Sequence, residues 1–469
     1  MTPPAQPVLT ADDPVVLDLV AALPPGRVVV DADVVRSLSR DQAAGAPAGE
    51  PVAVVRARST DEVRRVVETC LRHRTPVVAR GAGTGLSGGA NAVDGCVVLS
   101  LESMAEILAI DPLERLAVVQ PGVVNDDLRA AVAEHGLWYP PDPASSPWST
   151  IGGNVATNAG GVCCVKYGVT REYVLELEVV TGSADVVRIG RRTAKGVAGY
   201  DLVGLLVGSE GTLGIVTEIT VRLRNLPSPP ITVAGFFSSL VAAGTAVRAV
   251  GEAGITPSAL ELMDRYCLRA VDDWKQMGLT DAGDVLVLAR VDDAEPTGTA
   301  LADAIVEHFR ASGATWAERS TDPDEGDALF AARRLAYPAL ERLGPVITED
   351  VCVPKQHVPE MLARIEALAA QHDVKIANIA HAGDGNLHPL IIGPSDEDAE
   401  LWPRIHAAFD GILAAALALG GTITGEHGVG LLKRGGLVDE LSPAVMELHR
   451  GIKAAMDPAG ILNPGKVFQ

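Results

Sequence analysis

The chain has 469 residues, of which 47% are hydrophobic and only 4% are aromatic, so Val, Ala and Leu must fill its core. Its formal net charge of −21 at pH 7 repels nucleic acid and anionic membrane surfaces, and we expect neither as a partner. The same charge repels an anionic substrate, which would therefore need a local cation or a metal ion in its site.

The six cysteines form no C-x-x-C motif, which argues against iron–sulfur and zinc-ribbon sites. We expect the adjacent Cys163 and Cys164 to be thiols. The N-terminus lacks the basic and apolar regions of a signal peptide, and the most apolar run, 412–419, is too short to span a bilayer. These features predict a cytoplasmic protein without a transmembrane segment, with docking at the inner membrane face left open.

The length favours more than one domain. Residues 1–48 are expected to form a leader with one short helix, and the polar, proline-rich stretch 224–230 marks the best domain boundary. The pattern therefore predicts a first domain at 49–227 and a second at 228–469. In chain order it predicts these elements: strand 52–56, a helix capped by Ser59 and Glu62, strands 76–79, 96–101 and 118–120, helix 125–135, strands 174–181, 213–224 and 231–237, helix 238–253, strand 284–290, helix 297–311, strand 346–353, helix 358–372, strands 374–381 and 387–392, and helix 399–419.

A glycine-rich loop follows the strand at 76–79. Gly83 to Gly88 matches G-x-G-x-x-G, but the loop runs directly into the strand at 96–101 and leaves no room for the helix of a Rossmann unit. We expect successive backbone N–H groups to wrap a pyrophosphate, with an ordinary glycine-rich hairpin as the alternative. A second small-residue run, 140–161, and a third, 208–215, would let backbone approach a flat ligand closely and favour the dinucleotide interpretation.

A second constellation lies near the C-terminus. His381 and His388 flank Gly383-Asp-Gly-Asn386, a turn sequence that predicts a hairpin with the two imidazoles about 5 Å apart. Glu426 arrives from a separate loop, and His427 beside it is a spare proton acceptor. Two histidines and a carboxylate fit Zn²⁺, Mn²⁺ or Fe²⁺ with open coordination positions. The alternative is that these are strand histidines satisfied by protein neighbours.

At this point the chain resembles a known family. The runs 80–89, 152–161, 208–214, 381–388 and 425–428 are similar to those of FAD-binding oxidoreductases of the vanillyl-alcohol oxidase/p-cresol methylhydroxylase (PCMH) type, from about Pro51 to Val467. Within that group the chain most resembles D-lactate dehydrogenases, the glycolate oxidase FAD subunit and D-2-hydroxyglutarate dehydrogenase. The resemblance implies an α+β fold: a two-part PCMH-type FAD-binding domain, then an FAD-linked oxidase C-terminal substrate and metal domain with an antiparallel sheet and a C-terminal helical segment.

The resemblance also implies which residues contact the cofactor. Covalent members often carry a histidine in the first loop, where this chain has Thr84, so FAD is expected to be noncovalent. The expected FAD-binding residues are Arg80, Gly81, Ala82, Gly83, Thr84, Gly85, Leu86, Ser87, Pro121, Gly122, Pro141, Asp142, Pro143, Ser146, Gly152, Gly153, Asn154, Thr157, Asn158, Gly160, Gly161, Tyr167, Gly168, Glu210, Gly211, Gly214, Ile215, Val216, Asn463 and Lys466.

For the substrate site, the resemblance makes His381, His388 and Glu426 the metal ligands and His427 the general base. Arg333 would hold the substrate carboxylate, with the adjacent Arg334 solvated, and Asn386 would lie near the substrate. The hydroxyglutarate enzymes place a lysine and a threonine where this chain has Thr348 and Tyr337. That departure favours a monocarboxylate substrate such as lactate or glycolate.

We therefore expect an FAD- and metal-dependent dehydrogenase that oxidises a D-2-hydroxy acid by hydride transfer to flavin N5, with activity rising between about pH 6 and 8 if a histidine is the base. The electron acceptor is open among a quinone, a cytochrome, an electron-transferring flavoprotein and O₂, and a homodimer is equally open. The rival functions are a D-2-hydroxyglutarate dehydrogenase, a metallohydrolase, and a noncatalytic flavin-binding subunit of a larger electron-transfer complex.

Overall fold

The computed structural model describes residues 13–393 and 401–468. Its strands are β1 Val28–Val29, β2 Ala53–Arg56, β3 Val77–Arg80, β4 Val97–Ser100, β5 Ile107–Asp111, β6 Leu116–Val119, β7 Leu137–Trp138, β8 Val174–Val180, β9 Val186–Gly190, β10 Ile215–Arg222, β11 Arg224–Asn225, β12 Ile231–Phe237, β13 Ala259–Met263, β14 Val285–Val291, β15 Trp316–Arg319, β16 Val346–Thr348, β17 Val351–Cys352, β18 Ile376–His381 and β19 Asn386–Ile392.

The α-helices are α1 Pro14–Ala22, α2 Ala32–Ser37, α3 Thr60–His73, α4 Asn125–Ala133, α5 Ile151–Thr157, α6 Cys164–Tyr167, α7 Leu202–Leu206, α8 Leu240–Glu252, α9 Arg265–Lys275, α10 Thr297–Ala311, α11 Pro323–Glu341, α12 Val358–His372, α13 Leu401–Ala418, α14 Arg434–Glu440 and α15 Pro443–Met456. Two short 3₁₀ helices lie at Thr170–Glu172 and Lys355–His357. Each helix in the described ranges is too short or too polar to cross a bilayer.

The first half of the chain forms two main sheets and a two-stranded sheet in which β7 pairs with β11. A four-stranded sheet has the order β1-β2-β4-β3, in which β4 pairs in parallel with both β2 and β3, and α3 connects the parallel strands β2 and β3. A five-stranded antiparallel sheet has the order β5-β6-β10-β8-β9. The expected FAD-binding runs fall in the connections of these sheets: the first loop follows β3, the second contains α5, and the third precedes β10.

The second half is built on one eight-stranded antiparallel sheet of order β15-β12-β14-β13-β18-β19-β16, with β17 also paired to β19. Apolar side chains of α8, α10, α12 and α13 pack with one face of this sheet. Those of α9 and α11 pack with the other face. Because side chains alternate along a strand, His381, His388 and Thr348 project on the face that α11 covers. The structure thus confirms the expected α+β class and the antiparallel second sheet.

The end of the chain returns to the first half. Asn463 donates its backbone N–H to Val77 O, and Val77 donates to Ile461 O, so residues 461–463 lie along the edge of β3. Ile452 and Met456 of α15 pack against the core of the five-stranded sheet. This return path carries residues 425–432 between the two halves.

Several expectations about elements need correction. The leader contains two helices and a strand (α1, β1 and α2) where one helix is expected. Ser59 caps α3 as expected, but the Glu62 carboxylate accepts the N–H of Arg58, so the reciprocal bond of a capping box to Ser59 is missing. The pattern also misses several elements, among them α9, α11 and β13. Residues 1–12 of the leader and the first two residues of the expected helix 399–419 lie outside the described ranges.

Candidate metal and flavin site

The β18–β19 hairpin brings the two predicted histidines together. His381 lies opposite Asn386, and His388 lies opposite Ile379, so the imidazoles occupy diagonal positions with ring centroids 5.2 Å apart. Glu426 reaches both rings: its Oε1 lies 3.4 Å from His381 Nε2 and 3.3 Å from His388 Nε2. The three predicted ligands therefore converge, with their donor atoms within 4.8 Å of one another.

The surroundings of the three donors suit a divalent cation. Burial alone would lower the pKa of His381, but the carboxylates of Glu261 and Glu426 outweigh it and raise this pKa well above its usual value. The pKa of Glu426 is held far below its usual range by the two histidines, against the effect of burial. The site therefore favours positive charge between these groups, and two imidazoles with one carboxylate are donors that Zn²⁺, Mn²⁺ and Fe²⁺ accept.

A buried carboxylate faces the Nδ1 atom of each histidine. His381 Nδ1 lies 2.7 Å from Glu261 Oε1, and His388 Nδ1 lies 3.6 Å from Asp350 Oδ1. In both rings the Nε2 atom thus faces Glu426, while the Nδ1 atom faces a buried carboxylate. The hydrogen bond between His381 and Glu261 is typical of metal ligands, because it fixes the ring and leaves one nitrogen lone pair for the metal. The Asp350 carboxylate lies too far from His388 Nδ1 for such a bond.

His427 lies beside the three donors without joining them. Its Nε2 is 3.8 Å from Glu426 Oε1, and its ring stacks on that of His388 at 5.0 Å between centroids. Burial lowers the pKa of His427 to about 4, and the nearby charge of Asp350 only partly offsets this. The imidazole is therefore neutral and able to accept a proton at neutral pH. The expected rise in activity between pH 6 and 8 does not follow from a histidine with so low a pKa.

The glycine runs of the first half contact the segment 426–430 directly. A Cβ on Gly160 would lie 2.4 Å from Glu426 Oε2, so any larger residue here would displace the carboxylate from its present position. Ser87 Oγ donates to the carbonyls of His427 and Gly428. Glu210, from the third run, accepts the N–H groups of Val429 and Gly430. The three runs that we expect to bind FAD and the segment with the expected base therefore form one site.

The first two glycine runs also fit a dinucleotide. Gly81 packs so closely against α5 that an added Cβ would lie 2.4 Å from Thr150 Oγ1. Arg80 Nε and Asn154 Nδ2 are buried donors without an acceptor among the described residues. A phosphate or ring oxygen would supply the missing acceptors, since buried donors are rarely left unpaired. Both side chains belong to the FAD-binding set expected from sequence.

Other expected FAD residues bond to protein groups. Tyr167 donates its hydroxyl to Asp292 Oδ2, Asn463 donates its amide to the carbonyls of Gly89 and Glu210, and Lys466 donates to Asn91 O and Asn463 Oδ1. These three side chains, like those of Ser87 and Glu210, hold together the backbone around the site. A direct contact of these five side chains with the cofactor stays a prediction.

Arg333 lies at the site, while its neighbour faces solvent. Arg333 is buried on α11 and its Nη2 lies 2.7 Å from Glu261 Oε2, whereas Arg334 is exposed. Arg333 Nε is buried without an acceptor among the described residues. One edge of the guanidinium is therefore held by Glu261, and its Nε can still take a ligand oxygen.

Tyr337 lies one helical turn after Arg333 on α11, and Thr348 lies at the end of β16. Burial raises the pKa of the Tyr337 phenol, and the neighbouring Thr348 hydroxyl partly offsets the shift. These two uncharged hydroxyls are therefore neighbours. Asn386 is buried, and its amide donates to Asp350 Oδ1 at 2.7 Å and to Val351 O. Its role toward a substrate stays a prediction.

Sequence reasoning missed two buried carboxylates, Glu261 and Asp350. Glu261 stands in the middle of β13, in Ala259-Leu-Glu-Leu-Met263, where each residue is buried. An acidic residue inside so apolar a run indicates a functional or paired carboxylate, because a buried carboxylate needs a charged or hydrogen-bonding partner. Asp350 follows Glu349 in a polar segment, and its partners lie up to 83 residues away, which leaves no local signal.

Comparison with known families gives two matches. The family described as FAD linked oxidases, C-terminal domain, matches residues 226–467, and the FAD binding domain family matches residues 51–190. The glycolate oxidase subunit GlcD of Bacillus subtilis (strain 168) is 42% identical over 419 residues, which cover 89% of each chain. D-lactate dehydrogenase of Anaerostipes hadrus is 33% identical over 462 residues, which cover 97% of each chain.

The structure itself resembles that of p-cresol methylhydroxylase with substrate bound, with a TM-score of 0.79 at 19% identity and coverage of 97% of this chain and 96% of that chain. At this identity the likeness establishes the fold, and it agrees with the PCMH-type fold expected from sequence. The family matches and the two relatives extend over most of the chain. The chain therefore belongs to the FAD-linked oxidases and is a flavin-dependent oxidoreductase.

Proposed function

We propose that this protein is an FAD- and divalent-metal-dependent dehydrogenase that oxidises a D-2-hydroxy acid of the lactate or glycolate type to the 2-oxo acid. One observation carries the proposal: His381, His388 and Glu426 converge, and Glu426 lies against Gly160 of a flavin-binding run. The names of the relatives, a glycolate oxidase subunit and a D-lactate dehydrogenase, support the substrate class.

Each side chain of the site has a separate role in this proposal. Arg333 holds the substrate carboxylate through the part of its guanidinium that Glu261 leaves free. His381, His388 and Glu426 would hold the divalent cation, which would supply Lewis-acid polarisation of the substrate hydroxyl. His427, neutral at pH 7, accepts the hydroxyl proton. FAD, when bound, supplies the hydride acceptor at its N5 atom.

The wall around Tyr337 and Thr348 supports a monocarboxylate. Both residues are uncharged, Arg333 is assigned to the first carboxylate, and the buried Lys433 already has a carboxylate partner in Glu349. A second substrate carboxylate would therefore be desolvated without a free cation among the described residues of this region, which is costly. We accordingly place lactate and glycolate ahead of D-2-hydroxyglutarate.

We further propose that FAD is held noncovalently, since Thr84 stands at the position where covalent relatives often carry a histidine. The electron acceptor is a quinone, a cytochrome, an electron-transferring flavoprotein or O₂. A cytoplasmic location belongs to the same proposal, with a homodimer and peripheral docking at the inner membrane face as open alternatives.

The test is an anaerobic titration of the purified flavoprotein with D- and L-lactate, glycolate and D-2-hydroxyglutarate, followed by bleaching of the flavin absorbance. We expect D-lactate or glycolate to reduce the flavin and D-2-hydroxyglutarate to reduce it far more slowly. Bound flavin that none of these acids reduces would overturn the proposal and indicate a noncatalytic flavin subunit. Fast reduction by D-2-hydroxyglutarate alone would replace the proposed substrate class.

The His427→Ala variant tests the base. We expect flavin reduction to slow by about 10²-fold or more, the usual contribution of a positioned proton acceptor, while bound FAD stays near the wild-type level. Near-full reduction rates in this variant would remove His427 from the mechanism.

A further inference from the structure

Asp350 lies at the centre of the hydrogen bonds that hold the site. Its carboxylate is fully buried and accepts the backbone N–H groups of two successive residues, Glu426 at 3.0 Å and His427 at 2.9 Å. It also accepts the Thr424 hydroxyl at 2.7 Å and the Asn386 amide at 2.7 Å. One side chain thus contacts both the loop that carries Glu426 and the hairpin that carries the histidines.

The position of Asp350 in the fold makes these contacts stable. It immediately precedes β17, which pairs with β19 on one side and bridges to Thr422 through Cys352 on the other. The bridge attaches the 422–428 loop to the edge of the sheet, and the Asp350 carboxylate then fills the small concavity formed by the N–H groups of the loop. Two successive N–H groups that point at one acceptor form an anion site, and here the anion is a side chain of the chain itself.

We infer that Asp350 is a positioning residue that sets the orientation of Glu426 and His427 for metal binding and proton transfer. Its hydrogen bonds to the N–H groups of Glu426 and His427 fix the backbone position from which both side chains extend. Its Oδ1 lies 3.6 Å from His388 Nδ1, too far for a hydrogen bond, and it contacts the histidine hairpin through the Asn386 amide instead. This inference rests on the proposed function, because it gives a role to the metal donors of that site.

The test compares Asp350→Asn with a matched control, Asp264→Asn. Asp264 is also buried and accepts four N–H groups, those of Tyr266 and Cys267 and two from Asn378, but it caps α9 away from the metal donors. Both variants lose a buried charge and should lower the melting temperature. A purely structural role therefore predicts similar behaviour of the two variants in every other measurement.

Mn²⁺ serves as the probe, with binding to chelator-treated protein measured from the electron paramagnetic resonance signal of the free ion. We expect the Mn²⁺ dissociation constant to rise at least tenfold in Asp350→Asn and to stay at the wild-type value in Asp264→Asn, as for other groups that orient metal ligands. At saturating Mn²⁺, the rate of flavin reduction should recover only in part in Asp350→Asn, since His427 also loses its support.

A milder variant keeps the test decisive if Asp350→Asn does not fold. Thr424→Val removes one donor to Asp350 and should raise the Mn²⁺ dissociation constant about fivefold, the effect of one hydrogen bond. If both variants fold and both bind Mn²⁺ with wild-type affinity, the inference about Asp350 is wrong and the proposed function stands. If Asp350→Asn does not fold, wild-type affinity in Thr424→Val has the same meaning. Wild-type protein that binds no Mn²⁺ would overturn the proposed function, and this inference with it.

Discussion

At the scale of single residues, the guanidinium of Arg333 and that of Arg334 offer a direct comparison. The two are adjacent on α11, but Arg333 is buried against Glu261 and Arg334 is exposed. Arg333→Lys keeps the charge and removes the planar fork that binds both oxygens of a carboxylate. We expect the KM for the hydroxy acid to rise roughly 10- to 100-fold in Arg333→Lys and to stay unchanged in Arg334→Lys, as measured by steady-state kinetics. Equal KM values in the two variants would contradict the role given to Arg333.

Lys466 gives a prediction for pH. Burial lowers its pKa to about 8, so the amine is charged below pH 8 and loses its proton as the pH rises through that value. If this charge attracts the FAD phosphates, the dissociation constant of FAD should rise about tenfold between pH 7 and 9, which is the linkage expected for one proton. Rebinding of FAD to apoprotein, followed by quenching of flavin fluorescence, measures this.

The variant Lys466→Met separates this effect from other titrations. It carries no charge at any pH, so FAD should bind more weakly than to the wild type at pH 7 and with little change up to pH 9. The same tenfold pH dependence in Lys466→Met would show that another group is responsible.

At the scale of elements, the β18–β19 turn depends on Gly385. Its φ is +85°, and an added Cβ would lie 2.0 Å from Val353 O, a backbone atom that cannot move without displacing β17. Gly420 has a similar φ of +74° but open space around it. We expect Gly385→Ala to lower the free energy of unfolding by about 3 kcal/mol or more and Gly420→Ala by about 1 kcal/mol, as measured by urea denaturation. Equal losses would show that backbone strain alone, and not crowding at Val353, sets the cost.

The hairpin is also the element that sequence predicts best. Its sequence has a histidine on either side of a turn motif, and it shows both the alternation of a strand and the residues of a turn. The spacing of the imidazoles therefore follows from local rules. Helix α11 shows the opposite case, because Pro338 lies inside it and interrupts the helical pattern. Strand β13 is five residues long and is therefore difficult to recognise from periodicity.

The same distinction holds inside the site. The metal donors stand in motifs and could be predicted, whereas Glu261 and Asp350 act through contacts that only the folded chain creates. Glu261 lies 120 residues before His381, and Asp350 lies 76 residues before Glu426. Their roles follow from sheet pairing and loop packing, on which a single sequence gives no direct information.

At the scale of the whole molecule, an ion cluster joins the two halves. Lys166 of α6 lies 2.6 Å from Asp292 Oδ1 and 2.8 Å from Asp293 Oδ2, and the Tyr167 hydroxyl donates to the same Asp292. Lys166→Met would leave the largely buried Asp292 carboxylate without its cation. We expect the free energy of unfolding to fall by about 2 kcal/mol, between the ~0–1 kcal/mol of an exposed pair and the ~3–5 kcal/mol of a fully buried pair that loses one partner.

The control for the ion cluster is Arg450→Met, which removes an exposed ion pair to Glu447 within α15. Exposed pairs of this kind contribute about 0–1 kcal/mol, so its melting temperature should stay close to that of the wild type. Thermal melting of both variants, followed by flavin fluorescence, distinguishes the two. A shift in Lys166→Met no larger than that in Arg450→Met would show that the cluster does not stabilise the contact between the halves.

The central claim is that His381, His388 and Glu426 bind a divalent cation on which hydroxy-acid oxidation depends. Its most direct test is anaerobic flavin reduction by D-lactate or glycolate in protein stripped of metal with a chelator, before and after addition of Zn²⁺, Mn²⁺ or Fe²⁺. We predict that stripping reduces the rate by at least about 10²-fold, that one of these ions restores it, and that FAD stays bound throughout. Full-rate reduction in metal-free protein would contradict the account.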